Sequence, residues 1–335
     1  MNDLPADRAV PPGGGASSSV GLLADGALAL RVHPSLAGAA AGWIPLEARP
    51  TPAGARPAAR MRLLPGRARP FDLPAGEPMV ELLNVRGWGD AAAARVCLAT
   101  PDGALWGTVD LPRMRAAVAL RRGSAPAASD LSGALTICAA LLLGRLGRAL
   151  LHAAAVVAPG GGAWLLVGDS HSGKTSTCVN LIRAGWDWLA DDQVVARAGG
   201  AGEVVVEGWP RRFTLDDGFV AGRSLGRRTP TDPSRFGPGR LRVSAPLAGV
   251  LLPRVRADQP TRLERAHPAA ALGQLIRQSP WLLADPHAAP GVLGLLRRMA
   301  ETPVFNLALG AETYADPHLL QARVSEAVRA SPPWR

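Results

Sequence analysis

Eight consecutive residues, Gly168-Asp169-Ser170-His171-Ser172-Gly173-Lys174-Thr175, follow the pattern G-x-x-x-x-G-K-[ST]. The chemistry this pattern serves is the grip of a polyphosphate. Two glycines allow a tight turn in which successive main-chain N–H groups point inward at phosphate oxygens. A helix that starts at the loop's end presents its positive pole to the same anion. Lys174 can reach the β- and γ-phosphates, the Thr175 hydroxyl can ligate Mg²⁺, and Ser176 continues the phosphate-facing first turn. A chance Gly-rich turn would share these letters. It would not explain why Lys174 is the only lysine among 37 Lys and Arg residues. The chain uses arginine everywhere except where a compact ammonium suits a phosphate better than a planar guanidinium. The expected ligand is ATP with Mg²⁺.

Asp191 and Asp192 follow Lys174 by 17 and 18 residues. So short a gap puts both on the strand after the loop's helix, beside the phosphates. One carboxylate there can hold Mg²⁺, and the other can take a proton from an attacking hydroxyl. The spacing lets either carboxylate take either role, with the Thr175 hydroxyl at the metal. The pair Asp216-Asp217 has no such placement and reads as a turn. His152 stands just ahead of the segment that feeds the loop, where a lone histidine is commonly a satisfied core residue. His171 sits within the loop, facing phosphate or solvent.

Three stretches taken together resemble the catalytic domain of the HPr kinase/phosphorylase family. They are Leu151-His152-Ala153-Ala154-Ala155, the loop Gly168–Thr175, and Arg183-Ala184-Gly185 through Leu189-Ala190-Asp191-Asp192-Gln193-Val194. The resemblance covers roughly residues 150–197. It implies an α/β fold akin to phosphoenolpyruvate carboxykinase, a P-loop kinase domain with a mixed sheet. It also implies phosphate transfer from ATP to a hydroxyl, with Asp191 as base, Asp192 near the metal and His152 as an accessory residue at the phosphates. Two departures stand out. The family's middle loop glycine is His171 here, and Gly237-Pro238-Gly239-Arg240 only echoes its later Pro-Gly-Arg-Asn loop. The N-terminal part does not resemble the family's sensor half. A peptide, protein or small-molecule hydroxyl is therefore the expected acceptor in place of HPr. A small-molecule kinase of the shikimate-kinase type and a non-catalytic ATP-binding module are the alternatives.

The elements around these residues follow from the apolar pattern. Ala153–Val157 and Ala163–Val167 flank Pro159-Gly160-Gly161-Gly162 and read as a hairpin leading into the loop. Ser176–Ala184 reads as a helix stopped by Gly185. Trp186–Ala190 and Val194–Arg197 read as strands, Glu203–Glu207 with Arg212–Leu215 as a further hairpin, and 221–240 as a mobile loop. Leu247–Leu252 and Val304–Leu309 read as strands, with helices near 268–278, 290–300 and 317–329. Upstream, Asp130 is the expected N-cap of a helix over Leu131–Leu150. Pro101-Asp102-Gly103 marks a hairpin between Val96–Ala99 and Ala104–Leu111, and Ala27–Val32 reads as a strand. Residues 45–75 read as irregular. The expected organisation is a disordered tail over 1–20, a small β-rich domain over 21–129 and the catalytic domain over 130–335.

Among 335 residues, 47% are hydrophobic and the net charge is +10, with arginines scattered in pairs. No basic run or aromatic signature accompanies them, so nucleic acid is not an expected partner. The apolar stretch near Leu131–Leu151 is broken by Arg145 and Arg148, which favours a buried helix over a membrane span. Cys97, Cys138 and Cys178 have no metal spacing and fit free thiols in a reducing cytoplasm. Residues 1–19 have no apolar core of the kind a signal peptide needs. Nothing in the pattern decides for or against a homo-oligomer.

Overall fold

A computed structural model describes residues 19–45, 49–50, 56–66, 72–74, 76–90, 94–209, 211–216 and 228–330. The chain divides into two compact units. One holds residues 1–146 with 280–289, the other 147–279 with 290–335. The expected tail lies outside the described residues up to position 18; Ser19 and Val20 open a strand.

The first unit is built on one nine-stranded sheet. Its elements are β1 (Ser19–Leu23), β2 (Leu28–Val32), α1 (Ala37–Ala40), β3 (Arg49–Pro50), β4 (Ala59–Gly66), β5 (Val80–Leu82), β6 (Val85–Asp90), β7 (Arg95–Ala99), β8 (Leu105–Asp110), β9 (Arg115–Arg121) and α2 (Ala128–Arg145). The strand order is β3-β1-β2-β4-β9-β8-β7-β6-β5, with β4 parallel to both β2 and β9. β4 lies where an irregular segment is expected. Its alternation decides the matter: Ala59, Met61 and Leu63 are buried while Arg60 and Arg62 are exposed, the period-2 pattern of a half-buried strand. The β7–β8 hairpin forms as expected, with Gly103 at a φ of +64° in its turn.

Asp130 does not cap α2. The cap position is Ala127, and Asp130 lies in the first turn, where its Oδ1 accepts from Asn84 Nδ2 at 3.3 Å. The helix stops at Arg145, earlier than expected, and Gly147 turns the chain at a φ of +68°. Arg145 closes on Asp285, whose chain segment belongs to the same unit. α2 is long and apolar enough to cross a membrane, and most of it is buried within the protein.

The second unit contains β10 (Ala149–Leu151), β11 (Ala154–Val157), β12 (Ala163–Leu166), α3 (Lys174–Arg183), β13 (Asp187–Ala190), β14 (Val194–Ala198), β15 (Val204–Gly208), β16 (Phe213–Asp216), β17 (Arg228–Thr231), β18 (Ser244–Val255), β19 (Arg262–Arg265), α4 (Pro268–Arg277), α5 (Ala289–Ala300), β20 (Val304–Leu309), α6 (Glu312–Ala315) and α7 (Pro317–Ala330). Its main sheet is mixed. β12 runs parallel to β18 and β18 parallel to β20, while β11 joins β12 and β13 by antiparallel pairing. β11 and β12 are buried at every position, as strands covered on both faces must be. Apolar residues of α3 (Cys178, Val179, Leu181, Ile182) and of α7 (Leu320, Val324) share a core with Trp164, Trp188, Phe213 and Phe305.

Two expectations fail in this unit. β15 pairs with β14 and β18, not with the strand that follows it. That strand, β16, pairs instead with β17. The expected mobile loop is thus a strand over Arg228–Thr231, although residues 221–227 lie outside the described ones. The stretch after it is docked. The Arg240 carbonyl accepts from Trp188 N–H at 3.0 Å, and Arg240 N–H donates to Asp187 Oδ1 at 2.8 Å. Gly239 lies so close to the Trp186 carbonyl that a Cβ would come within 2.1 Å of it. The segment that echoes a family loop therefore lies along β13, the strand that delivers the twin aspartates.

All three cysteines are buried, and none is in a disulfide. Burial pushes the Cys138 thiol up to about 12 and Cys178 well above its ordinary value, so neither is a nucleophile at neutral pH.

Candidate functional site

β12 ends at Leu166, and Val167 N–H still bonds the Leu251 carbonyl of the parallel neighbour. The chain then leaves the sheet. Gly168 is buried, Asp169, Ser170 and His171 are exposed, and α3 begins at Lys174. A Cβ on Gly168 would stand 2.7 Å from Ser172 Oγ. Gly173 has a φ of +103°, and a Cβ there would meet Leu309 Cδ1 at 2.7 Å. His171 has a φ of +64°, the left-handed region that suits glycine.

Lys174 lies under this turn. Its Nζ donates to the Gly168 carbonyl at 2.7 Å and to the Asp169 carbonyl at 3.0 Å. Burial lowers its pKa, and the charges of Asp192, Asp191 and Asp169 oppose that shift. Thr177 Oγ1 donates to the Gly173 carbonyl at 2.8 Å and anchors the helix start.

β13 ends at Ala190 and presents Asp191 and Asp192 in the turn before β14. Burial pushes the Asp191 carboxyl up to about 7, against a hydrogen bond with Thr175. Asp191 Oδ1 is buried without a hydrogen-bond partner, as is Ser172 Oγ in the loop. For Asp192, burial acts upward too, but the contacts with His152, Arg211 and Lys174 outweigh it and hold the carboxyl at about 2. His152 Nδ1 lies 2.9 Å from Asp192 Oδ1 and 3.1 Å from the Asp192 carbonyl. Arg211 pairs with the second carboxylate oxygen.

The structure therefore brings Lys174, Thr175, Asp191, Asp192 and His152 to one place, together with the loop from Gly168 to Gly173. Ser170 and His171 are on its exposed rim. The donors that could face a divalent cation are hard oxygens, the Thr175 hydroxyl and the two carboxylates, which suits Mg²⁺. Among the described residues no group of three or more His, Cys, Asp or Glu is arranged to hold a metal ion by itself. A cation here would thus need oxygens from its ligand to complete its shell, as Mg²⁺ does on a nucleotide.

No family model matches the chain, and no curated protein matches it. Among solved structures, it is similar to the HPr(Ser) kinase/phosphatase from Coxiella burnetii at 12% identity, over 53% of this chain and 94% of that one, with a TM-score of 0.30. That is a distant structural likeness, and the reading of the site rests on the geometry above.

Two residues complete the site that spacing does not single out. Arg211 is one of four arginines, with Arg212, Arg240 and Arg242, that the sequence offers equally. The fold selects it by placing it on Asp192, whereas Arg240 and Arg242 attend Asp187. Gln278 lies more than 100 positions from the loop, yet its Nε2 donates to Asp169 Oδ1 at 3.2 Å. No sequence signal marks it, because the contact is made only by the fold.

Proposed function

We propose that the chain is an ATP-dependent phosphotransferase that moves the γ-phosphate to a hydroxyl, a Ser of a peptide or protein or an alcohol of a small molecule. The observation that carries this reading is the placement of two adjacent carboxylates, one with a buried oxygen and one held by His152 and Arg211, beside a glycine-turned loop around a buried lysine.

The loop N–H groups and the α3 N-terminus bind the phosphates, and Lys174 exchanges its two carbonyl contacts for phosphate oxygens. Thr175 and Asp192 would hold Mg²⁺, and Asp192 suits that role because it stays ionised. Bound there, the metal would neutralise charge on the β- and γ-phosphates. Asp191, with a pKa near neutrality, is matched to general base work. It takes the proton of the acceptor hydroxyl as the acceptor oxygen bonds the γ-phosphorus, while the bond to the ADP oxygen breaks. His152 keeps Asp192 in place from the far side.

The test is incubation of purified protein and Mg²⁺-ATP with peptide and metabolite pools, followed by detection of phosphorylated products. Transfer lost in both Lys174→Ala and Asp191→Asn supports the proposal, and transfer that survives both ends it. Nucleotide binding without turnover on any acceptor would favour a regulatory ATP-binding module. The Arg211 contact on Asp192 gives that second reading its support, since it occupies a carboxylate that a metal would need.

A further inference from the structure

We propose that Gln278 is a positioning residue that clamps the phosphate loop to the turn bearing His152. The inference rests on the reading of this place as a nucleotide site. Gln278 is the residue at which α4 ends, its N–H bonded to the Gln274 carbonyl at 3.0 Å. Its side chain is 6% exposed. From there it makes two contacts in different directions. The amide Nε2 holds Asp169 Oδ1 at 3.2 Å, and the main-chain carbonyl accepts from His152 N–H at 3.0 Å. Ser279 adds a bond from its Oγ to the Leu150 carbonyl at 3.5 Å.

Each contact leads to chemistry. The Asp169 carbonyl is one of the two that hold Lys174 Nζ. The His152 ring is one of the two groups that hold the Asp192 carboxylate. A single residue thus ties the loop that holds the amine to the segment whose histidine holds the acid. The residue type fits the task. Three carboxylates, Asp169, Asp191 and Asp192, already surround Lys174 electrostatically. A glutamate at 278 would repel Asp169, and a lysine or arginine would compete with Lys174 for phosphate. A leucine would fill the space and leave Asp169 loose. A neutral amide donates to Asp169 with no added charge.

Gln278→Leu removes the side-chain contact and keeps the main-chain one. A bond to an ionised acceptor is worth about tenfold or more in an equilibrium. The expected result is a roughly tenfold weaker grip on ATP with kcat changed by less than about threefold, the signature of lost uniform binding. Gln278→Glu should weaken binding at least as much. The double variant Asp169→Asn with Gln278→Glu reverses donor and acceptor, and should return ATP affinity to within about threefold of the parent.

Nucleotide affinity by titration is one readout. Hydrogen exchange at the amides of residues 168–173 is the other: faster in both single Gln278 variants, slow again in the double. An unchanged Gln278→Leu, or a double variant with no rescue in either readout, overturns the clamp. A parent protein that binds no nucleotide overturns the phosphotransfer reading instead, and the exchange rates then decide the clamp alone.

Discussion

Asp191 and Asp192 are adjacent in the chain, and their carboxyl pKa values are displaced in opposite directions. Burial lifts the first to about 7, while His152 and Arg211 bring the second to about 2 against its own burial. The difference comes from neighbours and not from residue type. Asp191 faces inward with one oxygen unpartnered, and Asp192 faces two cationic or polar side chains.

Activity should therefore follow the ionisation of Asp191. Transfer measured as kcat/KM is expected to rise with pH, with a midpoint near 7 for the free enzyme. Asp191→Asn should remove that limb and lower the rate by about a hundredfold or more, in the range general bases contribute. A profile flat between pH 5.5 and 8.5 in the parent, on the order of ±1.5 units about neutrality, would leave Asp191 without a proton-transfer role.

The same carboxyl should weaken the fold at alkaline pH. Its folded value, about 7, exceeds the ordinary 3.8, so between these values the folded state holds the proton that the unfolded state has released. Stability falls as pH rises through that window, and the loss is complete above it. The ceiling is about 4 kcal/mol at ~1.4 kcal/mol per unit, with the attraction of Asp191 to Lys174 and Arg211 already contained in the folded value. Asp191→Asn is expected to melt higher than the parent at pH 8 and to converge with it toward pH 4. Equal melting temperatures at pH 8, on the order of a degree apart or less, would contradict the burial argument.

Much of this site was legible as letters. The loop, its helix, the preceding hairpin and the strand carrying the aspartates each announce themselves by local pattern. Glycine at 168 and 173, apolar runs on either side and an acid pair at the strand's end need no knowledge of distant contacts. β15 and β16 look like a hairpin because they are consecutive, but β15 pairs back with the preceding β14 and with β18, and β16 pairs forward with β17. β4 looks irregular because Pro and Arg crowd that region, although its alternate residues are buried. Gln278 and the choice of Arg211 over its neighbours depend on packing between remote segments, which periodicity does not encode.

The two loop glycines should tolerate a methyl group unequally. At Gly168 a Cβ meets Ser172 Oγ at 2.7 Å, a hydroxyl that can rotate away, and Ser172 Cβ at 3.1 Å, which a small shift of the loop relieves. At Gly173 it would carry a left-handed φ of +103° and press on Leu309, which is buried. Gly168→Ala is expected to lower stability by about 1 kcal/mol or less, and Gly173→Ala by about 1–3 kcal/mol, since left-handed backbone strain adds to the clash. Urea unfolding of the two variants gives the comparison, and equal losses would put the strain at Gly173 in question.

Lys174 has no substitute of its own charge type in the chain, and its environment explains why arginine would not serve. The ammonium is buried and fits between two carbonyls 2.7 and 3.0 Å away. A guanidinium is planar and longer, with fixed donor directions. Lys174→Arg is thus expected to lose most ATP affinity, falling within about threefold of Lys174→Ala, with both weakened by roughly a hundredfold. Nucleotide titration checks this. An arginine variant that binds like the parent would show that charge alone, not shape, is what the loop requires.

Arg211 occupies the Asp192 oxygen not facing His152. A divalent cation that approaches Asp192 meets this guanidinium as a competitor, since both seek the same oxygen and repel one another. Removing the competitor should make the site take the cation at lower concentration. Arg211→Gln is expected to reduce the Mg²⁺ needed for half-maximal ATP binding by about threefold to tenfold, consistent with the loss of one partly buried charge contact. It should also raise the Asp192 pKa, because one of the groups holding it low is gone. Titration of Mg²⁺ at fixed ATP reads the first effect directly. If the variant instead needs more Mg²⁺ than the parent, Arg211 assists the metal–nucleotide complex, and its contact with Asp192 is a resting position it leaves when the phosphates arrive.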